Sequence, residues 1–189
     1  MAEELGKPYE QCRLVVAHLG GGISTAAHAE GRIIDSTTSR SEGTFSMDRS
    51  GQLNCWELAK LCFSGKYEKQ QVLKMLNGEG GVSAYLGTKD FRDVEARRNE
   101  GDATASAIFE ALAYQVSKEI AAMTAVLSGQ VDAIVLTGGI ANSRAFVNLV
   151  TDRISYLAPI VLKPGEEEMD SLAYYLHGVL TGAIAPKEY

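Results

Sequence analysis

Three consecutive glycines at residues 20–22 interrupt an extended apolar pattern near the start of the chain. The segment before them reads CRLVVAHL, the segment after them reads ISTAAHA, and a turn EGR leads into IID. This pattern predicts a three-stranded antiparallel meander over residues 11–36. A tight hairpin needs only one or two glycines. Three backbone positions without a Cβ instead allow a bulky group to approach the amides.

The second half of the chain alternates between helical and strand patterns. Apolar residues recur at threes and fours over residues 102–128, which predicts one long helix. The segment VDAIVLTGG then reads as a buried strand, ANSRAFVNLVTDRISYL as a helix, APIVLKPG as a strand and EEEMDSLAYYLHGVL as a helix. Strands that alternate with helices favour parallel pairing. The chain is therefore predicted to be a single α/β domain with a mixed sheet, in which helical crossovers follow the meander.

Between these halves lie shorter helical patterns and one polar segment. The patterns are NCWELAKLCFSG, which Asn54 is expected to cap, EKQQVLKMLNG, and KDFRDVEARRNEG, which Asp90 is expected to cap. Residues 36–52 are rich in Ser, Thr and Gly and show no periodicity. Connections of that length are usually functional or disordered.

Composition and charge exclude several classes of protein. A net charge of -6 argues against a general nucleic-acid binder, because a phosphate backbone requires a basic surface. No apolar run reaches the roughly 18 residues of a membrane span, and the first residues do not resemble a signal peptide, so we expect a cytoplasmic protein.

Cys55 and Cys62 lie two helical turns apart, too far for a disulfide, and we expect all three cysteines, including Cys12, to be buried thiols. The three histidines lack the spacing of a structural zinc site.

The glycine turn His18-Leu19-Gly20-Gly21-Gly22 is the first candidate site. Backbone amides without neighbouring side chains can form a concave nest for a phosphate group. A glycine-rich turn with a histidine at the end of the strand is the structural alternative.

A second candidate follows the buried strand, at residues 137–143. A strand, a glycine pair and a helix start form a cleft at the carboxyl end of the strand, where an anion, a flat adenine or a ribose can bind. An ordinary strand-to-helix turn with Asn142 as the cap is the alternative. Neither segment is a Walker A loop, because GxxxxGK[ST] does not occur. A single nucleotide could touch both segments only if residues 20–22 and 138–140 share one hollow.

Three further charged positions are candidates. The guanidinium of Arg49, within TFSMDRSG, could stabilise a transferring phosphoryl group, or it could be an exposed arginine on a loop. Arg92, within TKDFRD, could stack on a base or hydrogen-bond to it. The acidic residues 166–168 could hold Mg²⁺ or simply offset the dipole of the last helix.

In their order along the chain, these motifs resemble the acetate and butyrate kinase family, which shares its fold with actin, hexokinase and the ATPase lobe of Hsp70. The segments AHLGGGIS, EGTFSMDRSG and KPGEEEMDSLA look like the butyrate kinase branch. The acetate kinase branch instead carries an asparagine in the glycine turn and GEN after the glycine pair. The resemblance covers nearly the whole chain and implies a ribonuclease H-like lobe of the actin and hexokinase type.

The resemblance implies phosphoryl transfer from ATP to the carboxylate of a short-chain fatty acid such as butyrate, giving an acyl phosphate and ADP in the presence of Mg²⁺. The resemblance makes Arg49 and His18 the catalytic candidates, and it implies that Arg49 stabilises the phosphoryl group during its transfer. Glu168 resembles the glutamate that serves the metal, and Glu166 is the alternative. The nucleotide-binding residues implied are His18, Leu19, Gly20, Gly21, Gly22, Asp90, Phe91, Arg92, Gly138, Gly139, Ile140, Ala141, Asn142 and Ser143.

Members of that family are about twice as long as this chain and have two lobes. The resemblance therefore implies that residues 1–189 are equivalent to the C-terminal nucleotide-binding lobe and that the N-terminal lobe is absent. Phosphoryl transfer depends on positioning and on charge stabilisation from all sides. We expect the chain alone to bind nucleotide weakly and to show little or no kinase activity. The expected partners are a second copy in a homodimer and a first lobe supplied in trans.

Two other functional hypotheses are weighed against this one. The chain could be a non-catalytic dimerisation or nucleotide-sensing module derived from such a lobe. A serine hydrolase that uses His18 or His28 is disfavoured, because no GxSxG elbow occurs.

Overall fold

A five-stranded mixed sheet forms the centre of the molecule. The computed structural model describes residues 1–38, 40, 42–165 and 168–186, without the side chains of residues 168 and 171. The strand order is β3-β2-β1-β4-β5, with antiparallel pairing within β3-β2-β1 and parallel pairing within β1-β4-β5. The predicted meander and parallel half are both confirmed. The strands are β1 Leu14–Leu19, β2 Ile23–Ala29, β3 Arg32–Thr38, β4 Ala133–Gly138 and β5 Ile160–Pro164.

Eight α-helices and two 3₁₀ turns accompany the strands in the described part of the chain. The helices are α1 Ala2–Leu5, α2 Cys55–Cys62, α3 Lys69–Leu76, α4 Gly81–Leu86, α5 Phe91–Asn99, α6 Ala103–Val126, α7 Arg144–Ile154 and α8 Glu168–Leu180, and the 3₁₀ turns are Tyr9–Gln11 and Gly139–Asn142. None of the described helices is both long and apolar enough to cross a bilayer.

The long helix α6 packs against one face of the sheet, where it contacts β1, β2 and β3. Asp102 begins the helix by accepting hydrogen bonds from the amides of Thr104 and Ala105. The helix buries a stripe that includes Phe109 and Val116. Alternate residues of β1 and β4 supply the opposing surface, because successive strand residues point to opposite faces. The main hydrophobic core therefore lies between the sheet and the layer formed by α5, α6 and α7.

Residues 43–51 of the polar segment before α2 are buried or half-buried. The amide of Met47 donates to the carbonyl of Gly21 at 3.2 Å, and the amide of Gly78 donates to the carbonyl of Asp48 at 2.7 Å. Residues 43–47 are all buried. Backbone hydrogen bonds to two distant turns thus fix a segment that has no periodicity of its own.

Three local predictions differ from the structure. Cys55 and Cys62 are exposed, so the expectation of buried thiols is wrong for them and right only for Cys12. Ser143 caps α7 by accepting from the amide of Phe146, so the cap is not Asn142. The prediction also missed α4, because the preceding sequence NGEGG reads as a turn.

Candidate functional site

One cavity of about 600 Å³ opens at the carboxyl ends of β1 and β4. These strands are parallel neighbours, so the turns that follow them meet at the same edge of the sheet. The start of α5 completes the wall. The cavity therefore joins three of the predicted segments. Its lining residues are Gly20, Gly21, Met47, Thr88, Lys89, Asp90, Phe91, Arg92, Gly139 and Ile140.

The turn between β1 and β2 presents bare backbone to this cavity. A Cβ built on Gly21 would meet no atom within 4 Å, so the space beside it is open. A Cβ on Gly20 would lie 2.9 Å from Nε2 of His18, which places that ring beside the turn. The amide of Gly20 donates to the carbonyl of Gly22 at 3.2 Å, which closes the turn. The arrangement leaves an accessible peptide surface at the end of β1.

Arg49 lies on the other side of the same turn. A Cβ on Gly22 would be 2.7 Å from Nη1 of Arg49 and 3.1 Å from its Cζ. The Nε of this side chain is buried and has no hydrogen-bond partner among the described residues, and the Asp48 carboxylate is 3.9 Å away. The guanidinium therefore lies in a fixed position against the glycine turn, and its Nε–H makes no hydrogen bond within the described residues.

The start of α5 contributes a charged pair and an aromatic ring. Asp90 caps the helix by accepting from the amide of Arg92 at 2.9 Å. The guanidinium of Arg92 also donates to both carboxylate oxygens, and these side-chain hydrogen bonds, followed by the backbone one, lower the pKa of Asp90 to about 2. Phe91 is buried, with its ring centroid 5.3 Å from those of Phe109 and Phe146. The core thus fixes the backbone at the helix start, while Arg92 is 88% exposed at the mouth of the cavity.

The glycine pair after β4 has two distinct roles. Gly138 has φ 91°, and a Cβ there would lie 2.5 Å from the carbonyl oxygen of Leu19, so close packing of β4 on β1 requires this glycine. A Cβ on Gly139 would meet nothing within 4 Å. Two backbone hydrogen bonds of 3.2 Å join Gly138 to Gly165, which brings the end of β5 beside the pair.

Several predicted residues lie behind or beside the lining. Leu19 and Ala141 are buried in the core. Ser143 caps α7 and donates its hydroxyl hydrogen to Glu95, while the side-chain amide of Asn142 donates to the carbonyl of Gly139. Glu166 lies outside the described residues. Glu168 begins α8, but its side chain is not among those described.

The profile of the acetokinase family matches residues 1–165. The chain belongs to the acetokinase family. It is 48% identical over 189 residues to a probable butyrate kinase of Phocaeicola vulgatus, and 44% identical over 190 residues to one of Listeria monocytogenes. The match covers 100% of this chain but only 53% and 54% of those relatives, so the chain spans about half their length.

A solved structure shows the same fold. The acetate kinase of Porphyromonas gingivalis superposes with a TM-score of 0.82 at 22% identity, over 93% of this chain and 51% of the other. The resemblance read from the motifs is thus confirmed for both family and fold.

Three lining residues were not predicted from the sequence. Met47, Thr88 and Lys89 lie within the segments TFSMDRSG and TKDFRD of this acetokinase-family chain, but no role was predicted for them. Met47 precedes the Asp48-Arg49 pair, and the other two precede Asp90. Their position beside predicted site residues in the same segments was the available signal.

No cluster of three or more His, Cys, Asp or Glu side chains suitable for a metal ion occurs within the described part of this acetokinase-family chain. The acidic segment that was predicted to serve Mg²⁺ follows Gly165, which is hydrogen-bonded to Gly138. Gly165, which immediately precedes that segment, therefore lies next to the glycine pair Gly138-Gly139.

Proposed function

We propose that this chain supplies the nucleotide-binding half of an acyl kinase, which transfers a phosphoryl group from ATP to the carboxylate of a short-chain fatty acid. With butyrate the products are butyryl phosphate and ADP. The observation that carries the proposal is the single cavity that holds Gly20 and Gly21 on one wall, Gly139 on another and the start of α5 on a third. Its size suits a small-molecule ligand. Because ATP is the proposed donor, we place the reaction in the cytoplasm.

Gly21 and Gly139, at which a Cβ would meet nothing within 4 Å, define two proposed subsites of the cavity. The backbone at Gly21 is proposed to receive the phosphates, since a Cβ there would meet nothing within 4 Å. The bare backbone at Gly139, together with Ile140 and Phe91, is proposed to face the adenosine. Polyphosphate and base would then occupy opposite ends of one hollow.

Arg49 is the proposed electrostatic catalyst. Its guanidinium is fixed against Gly22, and its Nε has no hydrogen-bond partner among the described residues. A preorganised cation at the phosphate end stabilises the charge that develops on the equatorial oxygens during transfer. His18, with Nε2 beside Gly20, is proposed to act at the same end of the cavity.

Mg²⁺ is the proposed metal, and it would reduce the charge of the nucleotide phosphates. This ion prefers oxygen ligands and is commonly held by one or two carboxylates together with phosphate oxygens. Glu168 or Glu166 would supply the carboxylate. The support is the pair of hydrogen bonds that places Gly165, just before these residues, beside Gly138.

Residues 1–189 are proposed to be the C-terminal lobe, with the carboxylate substrate bound mainly by the other half of a full-length enzyme. The support is the length of the relatives, of which this chain covers 53%. We expect the purified chain to release almost no ADP in a butyrate-dependent assay. An ordinary turnover rate from this chain alone would contradict the two-lobe proposal.

Calorimetric titration with ADP tests the nucleotide site. Gly139→Val should abolish binding, because the valine side chain would enter open cavity space rather than the core. Ala125→Val, at an exposed position on α6 away from the cavity, is the control and should bind like wild type. Unchanged heats for Gly139→Val, in a variant that melts like wild type, would refute the adenosine subsite.

We also propose that the chain forms a homodimer through α2. No residue of this helix is buried. Its apolar residue Trp56 is 70% exposed, and Phe63, at the end of the helix, is 90% exposed. Large apolar side chains grouped on one surface usually mark an interaction site. Glu57 and Lys60 of this helix pair with each other at 2.8 Å, so burial of the surface would leave neither charge without its partner.

A further inference from the structure

Lys89 lines the cavity and is tied to the loop that carries Arg49. Its Nζ lies 3.4 Å from Oδ2 of Asp48, and Oδ1 of the same carboxylate lies 3.9 Å from Nε of Arg49. The guanidinium of Arg49 in turn packs against Gly22. This chain of contacts places the ammonium group at the glycine-turn end of the cavity.

The carboxylate that holds Lys89 stands on an anchored backbone. The carbonyl of Asp48 accepts hydrogen bonds from the amides of Gly78 at 2.7 Å and Gly80 at 3.2 Å. A Cβ on Gly80 would lie 2.9 Å from the amide nitrogen of Ser50, so the two loops are in close contact. The backbone of Asp48, whose carboxylate pairs with Lys89, is therefore anchored by a neighbouring loop.

The charges at this end of the cavity do not cancel. Asp48 faces both Lys89 and Arg49, so one carboxylate serves two cations. Asp90, which lines the cavity itself, accepts hydrogen bonds from Nε and Nη2 of Arg92. The Lys89–Arg49–Asp48 group thus keeps a net positive charge beside the bare backbone of Gly20 and Gly21.

We propose that Lys89 is a phosphate-contacting residue that binds the polyphosphate chain of a nucleoside di- or triphosphate, and that Asp48 is the counter-ion which the polyphosphate displaces. This inference rests on the proposed nucleotide site. An exposed ion pair contributes little by itself, so Lys89 can leave Asp48 at small cost. A polyphosphate carries several negative charges and accepts charge-assisted hydrogen bonds from an ammonium group.

Titrations with ADP, AMP and adenosine, without Mg²⁺, distinguish this role from that of a surface ion pair. Lys89→Gln should weaken ADP binding about tenfold, as expected for one lost charge-assisted contact, and leave adenosine binding unchanged. Lys89→Arg should restore most of the ADP affinity. Lys7→Gln is the control, because Lys7 is also ion-paired with one carboxylate, Asp132 at 2.7 Å, just before the start of β4 and away from the cavity, and it should bind like wild type.

Asp48→Asn provides a second, independent measurement. Removing the competing carboxylate should strengthen ADP binding a few-fold, and this gain should largely vanish when Lys89→Gln is also present. If Lys89→Gln binds ADP like wild type, or loses ADP and adenosine affinity equally, the assignment of Lys89 is overturned while the nucleotide site stands. If wild type binds none of the three ligands, the proposed function itself fails.

Discussion

The guanidinium of Arg49 lies directly against Gly22, with no room for a side chain between them. A Cβ on that glycine would be 2.7 Å from Nη1. The glycine turn after β1 and the polar loop before α2 are therefore one structural unit, which the hydrogen bond from the Met47 amide to the Gly21 carbonyl reinforces. This contact explains why the third glycine of the turn is needed: it admits an arginine from the opposite side of the turn, whereas Gly21 faces open space.

Gly22→Ala should move the Arg49 side chain and preserve the fold. The contact is with the end of a side chain rather than with backbone, so we expect a loss of under about 1 kcal/mol, or roughly 3 °C in melting temperature. The NMR signal of the Arg49 Nε–H group should shift. Gly21→Ala is the control, since its Cβ would meet nothing within 4 Å, and it should leave that signal in place. An unshifted signal in Gly22→Ala would contradict the contact.

Gly81→Ala should destabilise the protein through a backbone clash. A Cβ there would lie 2.1 Å from the carbonyl oxygen of Ser46 and 2.4 Å from that of Arg49, at φ 57°. We expect a loss of about 3 kcal/mol or more, measured by urea unfolding. Gly87→Ala separates the two causes, because Gly87 has φ 70° but open space, so only the conformational cost of about 1 kcal/mol should appear. Equal losses in both variants would show that the loops around Gly81 are not closely packed.

Acidification below neutral pH should destabilise the fold through His28. Burial lowers the pKa of this imidazole, whose Nδ1 is hydrogen-bonded to the Tyr9 hydroxyl at 2.8 Å. Because the folded-state pKa lies below that of the unfolded chain, protons bind preferentially to the unfolded chain as pH falls through about 6.5. The His28 contribution is complete above that pH and is lost below it.

The measurement is the melting temperature of wild type and His28→Gln between pH 7.5 and 5. The wild-type value should fall more steeply across this range than that of the variant. His177→Gln changes an exposed histidine on α8 and should retain the wild-type slope. Parallel curves for wild type and His28→Gln would exclude His28 as the source.

Phe63→Lys should convert the proposed homodimer to a monomer, because it places a charge on the exposed apolar surface at the end of α2. Sedimentation equilibrium at micromolar concentration should give twice the mass of the chain for wild type and the single-chain mass for the variant. Tyr156→Lys, at a residue that is 79% exposed beyond α7, should remain dimeric. A wild-type monomer would rule out the dimer, and a dimeric Phe63→Lys would rule out this surface.

Much of the fold could be predicted because local patterns carry it. The alternation before and after residues 20–22 predicts the meander, and apolar spacing predicts α6, since both reflect fixed backbone periodicities. The caps at Asn54 and Asp90 follow from side chains that accept from amides two or three residues ahead. The exposure of α2 could not be predicted in this way, because its apolar residues have the pattern of a buried helix. Only the tertiary structure shows that Leu58 and Leu61 are half-buried while Trp56 is exposed.

The sequence by itself determined the family, the order of the strands and of the helices other than α4, and the two glycine segments, because these depend on motifs and on local backbone preference. Tertiary structure decided that the segments share one cavity, since the parallel pairing of β1 with β4 brings distant turns to the same edge of the sheet. It also decided that Lys89 belongs to that cavity, through an ion pair with Asp48 that spans two loops. Periodicity cannot encode such a contact, because it depends on how the layers pack.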